Sequence, residues 1–203
     1  DYSTAKKEIE NGQFFTPANI CRLVVESLRL GKSDLVADLT CGMGNFFNFL
    51  PTEANAYGCE VDAKAFKVAR YLYPEANLAL EDIRAYQPEL RFDYVVGNPP
   101  FNLRWFTGEE KVLSQLYYCT KAAELLKPLG ILAIVVPRSF LSDTFSDSAM
   151  IQEMEQRYSF LGQVDLPEGA FSRFGVSSFP TKLQYWQRRA ELDDWTANSY
   201  SPD

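Results

Sequence analysis

The stretch "LVADLTCGMGNF" (residues 35–46) sets the frame for the chain. A short apolar run ends near an acid, Asp38, and passes straight into a loop with two glycines, Gly42 and Gly44. Glycine lets backbone N–H groups approach a ligand where a Cβ would block it. In open α/β sheets, ligands sit at the carboxyl ends of the strands. A lone G-x-G is equally what a plain strand-to-helix turn looks like, so the neighbouring elements have to decide between the two.

Working outward, Thr16-Pro17 reads as an N-cap followed by proline at the first helical position, opening an amphipathic helix that runs to Gly31. "AYGCEV" (56–61) reads as a second strand, with Asp62 capping the helix "AKAFKVARYLY" before Pro74. "NLALED" (77–82) and "RFDYVVGN" (91–98) read as strands three and four. A long helix is expected from about Glu109 to Lys127, stopped by Pro128 and Gly130. "ILAIVVP" (131–137) reads as a buried fifth strand. A helix around 148–158, the strand "LGQVDL" and a last strand "TKLQYWQ" complete the order. Strands alternating with helices predict a doubly wound, mostly parallel α/β sheet of Rossmann-like type.

Three acids end three successive strands: Asp38, Glu60 and Asp82. Glu60 stands where an acid would hold ribose hydroxyls, and Asp82 within reach of an adenine edge. The third glycine of a dinucleotide loop is missing, because Phe47 stands in its place. That pattern favours a nucleoside-type cofactor without a pyrophosphate.

Composition removes whole classes of chemistry. The chain has no histidine, which excludes Ser-His-Asp and Cys-His catalysis and His-ligated zinc. Its four cysteines are scattered, so no metal site is expected; they read as reduced residues of a cytoplasmic protein. No apolar run is long enough for a membrane span. A net charge of −7 gives no global pull on nucleic acid, so any such contact needs a local patch or another segment. The missing initiator Met suggests a piece of a longer protein. Residues 1–190 read as one domain opened by a helical segment (1–31), with 191–203 as a tail.

At the end of the fourth strand stands "VVGNPPFNLRW" (95–105): an amide, two stiff prolines and several aromatics. Together, "DLTCGMGNF", "CEVD", "EDI" and "GNPPF" resemble the class I S-adenosylmethionine-dependent methyltransferases. "NPPF" is similar to the amino-methyltransferases. "NGQFFTPANICRLVVESL" and "LPEGAFSRFGVSSFPTKLQYW" resemble the leading and trailing motifs of N6-adenine DNA methyltransferases, as in the modification subunits of restriction systems. The resemblance covers roughly residues 11 to 187 and implies an antiparallel last strand.

By this resemblance the cofactor is S-adenosylmethionine. It would be held by Phe15, Thr16 and Pro17 (with Phe14), by Asp38, Thr40, Cys41, Gly42, Gly44, Asn45 and Phe46, and by Glu60, Val61, Asp82, Ile83 and Asn98. Asn98, Pro99, Pro100 and Phe101 would be catalytic. The Asn98 side-chain carbonyl and the Pro99 backbone carbonyl would accept the adenine amino N–H groups. Phe101 would stack a flipped-out base, with Phe171, Phe179 or Phe174 on its second face. Trp105 and Phe106 read equally well as packing residues. DNA is the expected partner, through a recognition region or specificity subunit outside this chain, because the acidic end "RRAELDDWTANSYSPD" is too short to read base edges. RNA or protein-glutamine methylation, or a non-catalytic cofactor-binding module, are the alternatives.

Overall fold

The computed structural model describes residues 15–171 and 179–191. Among these, the chain runs through α1 (Ala18–Leu28), β1 (Val36–Asp38), β2 (Ala56–Glu60), α2 (Ala63–Leu72), β3 (Asn77–Leu80) and β4 (Phe92–Gly97). It continues through β5 (Arg104–Thr107), β6 (Glu110–Leu113), α3 (Ser114–Leu125), β7 (Leu126–Pro137), α4 (Ser148–Arg157), β8 (Tyr158–Asp165) and β9 (Thr181–Arg188). Seven strands form one sheet in the order β3-β2-β1-β4-β7-β9-β8. β1 pairs in parallel with β2 and β4, β2 with β3, and β4 with β7. The last strand, β9, is antiparallel to both β7 and β8, as the resemblance implied. It lies between them, so β8 forms the edge.

Both faces of the sheet are covered. Ala37, Val95, Leu132, Ile134 and Val136 pack with Tyr118, Cys119 and Ala122 of α3 and Met154 of α4. Their strand neighbours Val36, Val96, Ala133 and Val135 pack on the opposite side with Ile20, Cys21 and Val24 of α1. The alternation follows from the two-residue period of a strand, and burial on both faces is why β7 reads as an unbroken apolar run. Asp62 caps α2 as expected, its Oδ1 accepting from the N–H groups of Lys64 (2.9 Å) and Ala65 (2.8 Å).

Three sequence expectations need correction. The helix expected from Glu109 begins only at Ser114; before it, β5 and β6 form an antiparallel hairpin pairing Trp105 with Val112 and Thr107 with Glu110. Gly108 makes the turn with φ +69°. The alternation of Trp105 and Val112 against the core with Phe106 and Lys111 toward solvent is a strand pattern hidden among good helix formers. At the other end, α3 stops at Leu125, and β7 starts at Leu126, ahead of Pro128 and Gly130. The first helix also differs: Pro17 occupies the N-cap position with no side-chain cap, and α1 stops at Leu28 with Arg29 left-handed at φ 50°. Thr16 does not cap it, because its hydroxyl is engaged elsewhere, as described below.

Among the described residues no helix is long and apolar enough to cross a membrane. Phe14, Phe174 and residues 192–203 lie outside the described residues.

Gly97 ends β4 against α3. A Cβ at this position would collide with the Tyr118 hydroxyl. Gly97→Ala is therefore expected to lower stability by about 1–3 kcal/mol, the usual cost of overpacking. Denaturant unfolding should show an earlier midpoint.

Candidate functional site

The sheet order reverses between β1 and β4, so the loops that leave them diverge and open a crevice at their carboxyl ends. A cavity of about 570 Å³ lies there. Of the residues singled out from the sequence, it brings together Phe15, Thr40, Gly42, Glu60, Val61, Asp82, Ile83, Asn98 and Pro100. Leu39, Met43, Leu103 and Trp105 also line it. Thr16, Pro17, Asp38, Cys41, Gly44, Asn45, Phe46, Pro99, Phe101, Phe171 and Phe179 are not in its wall.

The three acids have different surroundings. Glu60 is clasped by backbone: Gly42 N–H donates to Oε2 and Asp62 N–H to Oε1, each at 2.8 Å. One carboxylate thus holds the glycine loop against the start of α2, while its own position in the wall stays fixed. Gly42 adopts φ +56°, which turns its N–H toward that carboxylate. Asp82 is gripped by Arg84, whose Nε donates to Oδ1 at 2.8 Å and whose NH2 donates to Oδ2 at 2.7 Å. Those bonds hold the Asp82 carboxyl below its ordinary value.

Asp38 sits behind the wall, almost without exposure. Burial pushes its carboxyl up to about 7, with Glu60 adding to the effect; the Thr40 N–H (3.1 Å) and the Tyr118 hydroxyl (3.2 Å) oppose it. The Cys21, Cys41, Cys59 and Cys119 thiols are raised by burial as well, so none is an activated nucleophile.

The second loop runs from Gly97 to Leu103. Asn98 Nδ2 donates to Thr16 Oγ1 at 3.0 Å, and the Thr16 carbonyl accepts from Asn45 Nδ2 at 2.9 Å. Thr16 therefore ties the two loops together. From the other side, the start of α3 fixes the loop. Ser114 Oγ donates to the Pro100 carbonyl at 2.6 Å, and Gln115 exchanges bonds with Asn102 at 3.0 Å. Ser114 and Gln115 were not legible as site residues, because the expected helix placed them in its interior. Trp105 reaches the cavity through the hairpin and packs edge-on to Tyr117, with ring centroids 5.8 Å apart.

Phe101 is buried, and Phe179 stacks on it with centroids 5.6 Å apart and ring planes 20° apart. Phe171 is buried in the same cluster. The flat face expected for a base is covered by Phe179 in this conformation.

A family model described as N-6 DNA Methylase matches residues 1–183. The chain belongs to this family. "Defense against restriction protein B" of Escherichia phage P1 is 26% identical over 192 residues, covering 89% of this chain and 8% of that protein. The type II methyltransferase M.CvrRI of Paramecium bursaria Chlorella virus XZ-6E is 27% identical over 153 residues, covering 69% of this chain and 40% of that protein. The crystal structure of the type I restriction-modification system methyltransferase subunit from Streptococcus thermophilus superposes with a TM-score of 0.71 at 19% identity, covering 86% of this chain and 45% of that one. The chain thus spans less than half the length of these three proteins.

N-6 DNA methylases take their methyl group from S-adenosylmethionine, and the cavity suits that cofactor. Four carboxylate residues line it (Glu60, Asp62, Glu81 and Asp82) against one ammonium, Lys64, so a cation is favoured there. Thr40 Oγ1, on the same wall, is buried without a hydrogen-bond partner among the described residues. Among the described residues, no group of three His, Cys, Asp or Glu is placed to hold a metal.

Two predictions follow from these acids. Glu60→Ala should weaken S-adenosylmethionine or S-adenosylhomocysteine binding by roughly 1.5–3 kcal/mol, the worth of a charge-assisted bond, as read by titration calorimetry; unchanged affinity would move the ribose elsewhere. Asp38 keeps a proton in the folded chain over a range, from 3.8 to about 7, in which the unfolded chain has lost it. Its contribution to stability is therefore greatest below 3.8 and falls as pH rises to about 7. Unfolding of the ligand-free chain across that range should show the parent losing ground to Asp38→Asn as pH rises.

Proposed function

We propose that this chain transfers the methyl group of S-adenosylmethionine to the exocyclic N6 amino group of adenine in DNA, by direct in-line displacement on a base flipped out of the duplex. The observation that supports this best is the position of Asn98. It lies in the wall of the cavity, with its amide nitrogen bonded to Thr16 Oγ1 and its loop fixed by Ser114. The Thr16 bond holds the amide in place, and on this reading its oxygen is the acceptor for the substrate amino group.

The cofactor supplies an electrophilic methyl on a cationic sulfur. The adenine amino nitrogen is a weak nucleophile because its lone pair is delocalised into the ring. Asn98 Oδ1 and the Pro99 carbonyl hold its N–H groups and turn the lone pair toward the methyl, so no strong base is required. Asn98 brings an acceptor without bringing a charge. The two prolines limit the loop's freedom before substrate arrives. Phe101 stacks the base once Phe179 gives up that face.

With a chain charge of −7, affinity for duplex DNA comes from a recognition region or specificity subunit supplied alongside this domain. Methylation of RNA or of protein glutamine uses the same clamp chemistry and is tested in the same experiment.

Labelled methyl should be followed into DNA, RNA and protein offered in parallel, with the recognition partner present. Label in DNA adenine is expected; label confined to RNA or protein would overturn the substrate. Asn98→Ala should leave cofactor affinity nearly unchanged and lower transfer about 10²–10³-fold, as for loss of one preorganised polar group. Phe101→Ala removes a stacking face worth roughly 1–3 kcal/mol. A mismatched or single-stranded target should suffer less from it, and Phe101→Trp should keep much of the activity.

A further inference from the structure

Behind the two loops, and outside the cavity, lies a buried hydroxyl that touches both. Tyr118, on α3, is fully buried. Its oxygen accepts from Leu39 N–H at 3.0 Å, and it stands 2.7 Å from the Val96 carbonyl and 3.2 Å from Asp38 Oδ1. Leu39 leads into the glycine loop, and Val96 precedes Gly97-Asn98. The side chain comes so close that only glycine fits at position 97.

A phenol has one proton to donate. Leu39 brings its own proton, so the Tyr118 proton serves either Val96 O or Asp38, not both. With Asp38 protonated, every group is satisfied: the carboxyl and Leu39 N–H donate to the phenol oxygen, and the phenol donates to Val96 O. With Asp38 ionised, the carboxylate competes with Val96 O for the same proton.

The geometry points to Tyr118 as a positioning residue for methyl transfer, its hydroxyl bracing the backbone before Asn98 against the backbone before the glycine loop, with the strength of that brace set by the charge on Asp38. This rests on the reading of the cavity as the cofactor site and of Asn98 as the amine clamp. Leu39 and Thr40, next to Asp38 in the chain, line the cavity, so a cation bound there favours the Asp38 carboxylate. Cofactor binding then expels a proton and leaves the Asp38 carboxylate competing with Val96 O, the nearer acceptor, for the Tyr118 proton. The groups facing Asp38 leave it as the titrating member. Glu60 on β2 raises it, and the thiols of Cys21 on α1, Cys41 in the loop and Cys59 on β2 are themselves raised by burial and neutral; Tyr118 on α3 lowers it.

The test uses the full chain with its recognition partner, and Tyr118→Phe, which keeps the ring and removes the hydroxyl. S-adenosylmethionine binding by calorimetry, in two buffers of different ionisation enthalpy, should show proton release by the parent below pH about 7 and none well above it. Asp38→Asn should release none at any pH. In Tyr118→Phe the midpoint of affinity against pH should move upward, because a bond that favoured the Asp38 carboxylate is gone. On its alkaline plateau, affinity should match the parent while kcat falls about tenfold to a hundredfold, as for a misplaced reacting group. A Tyr118→Phe chain with a lower Tm but the parent's pH midpoint and kcat would show a packing role only and overturn the proposal. If Tyr118→Phe does not fold, proton release by the parent and its loss in Asp38→Asn decide the matter alone. A parent that binds cofactor without methylating DNA would instead defeat the proposed function, and the calorimetric arms would still judge the coupling of Asp38.

Discussion

The parallel pairing of β1 with β2 on one side and β4 on the other is the constraint from which the site follows. From that pair the chain winds outward in opposite directions, to β2 and β3 and to β7 and beyond. The loop after β1 and the loop after β4 must then part, and side chains can enter the gap between them. An antiparallel arrangement would bring neighbouring strand ends together in tight turns and leave no such gap. Several polar side chains near the cavity hold these two diverging loops at a fixed distance.

The bracing comes from three directions. Thr16, just ahead of α1, bonds to Asn98 with its hydroxyl and to Asn45 with its carbonyl. Tyr118 on α3 reaches Leu39, Val96 and Asp38 from beneath. Ser114 and Gln115 hold Pro100 and Asn102 from the side. The three bonds of Tyr118 are buried and the others part-buried, where an unmade hydrogen bond is costly, so the loops have little freedom to drift before a ligand arrives. Preorganisation of this kind is what the proposed transfer requires, since the chain offers no histidine and no activated thiol to do harder chemistry.

The charge distribution divides the work. Carboxylates crowd the cavity, and the chain as a whole is acidic, which suits a cationic methyl donor and opposes a polyanion. On the proposed function, cofactor capture and catalysis belong to this domain, and attraction to DNA belongs to another part of the assembly. Phe179 lies on Phe101, so that these two apolar rings cover each other rather than face water.

The order of strands and helices, the acid at each of three strand ends and the Asn-Pro-Pro-Phe run were legible in the sequence. Each is a local signal: a two-residue or 3.6-residue period, a cap, a stop or a short motif. The hairpin was not legible, because Glu109, Glu110 and Lys111 suit a helix, and only the packing of Trp105 and Val112 on the core selects strands. Thr16 reads locally as a cap and acts instead on a side chain 82 positions away. Tyr118 looks like one more core aromatic until folding brings Leu39 and Val96 to its hydroxyl. Outside that hairpin, sequence by itself determined which elements form and which chemical groups stand at their ends. The tertiary structure alone decided which of those groups meet, because hydrogen bonds between distant residues depend on how the sheet is ordered, and no local period encodes that order.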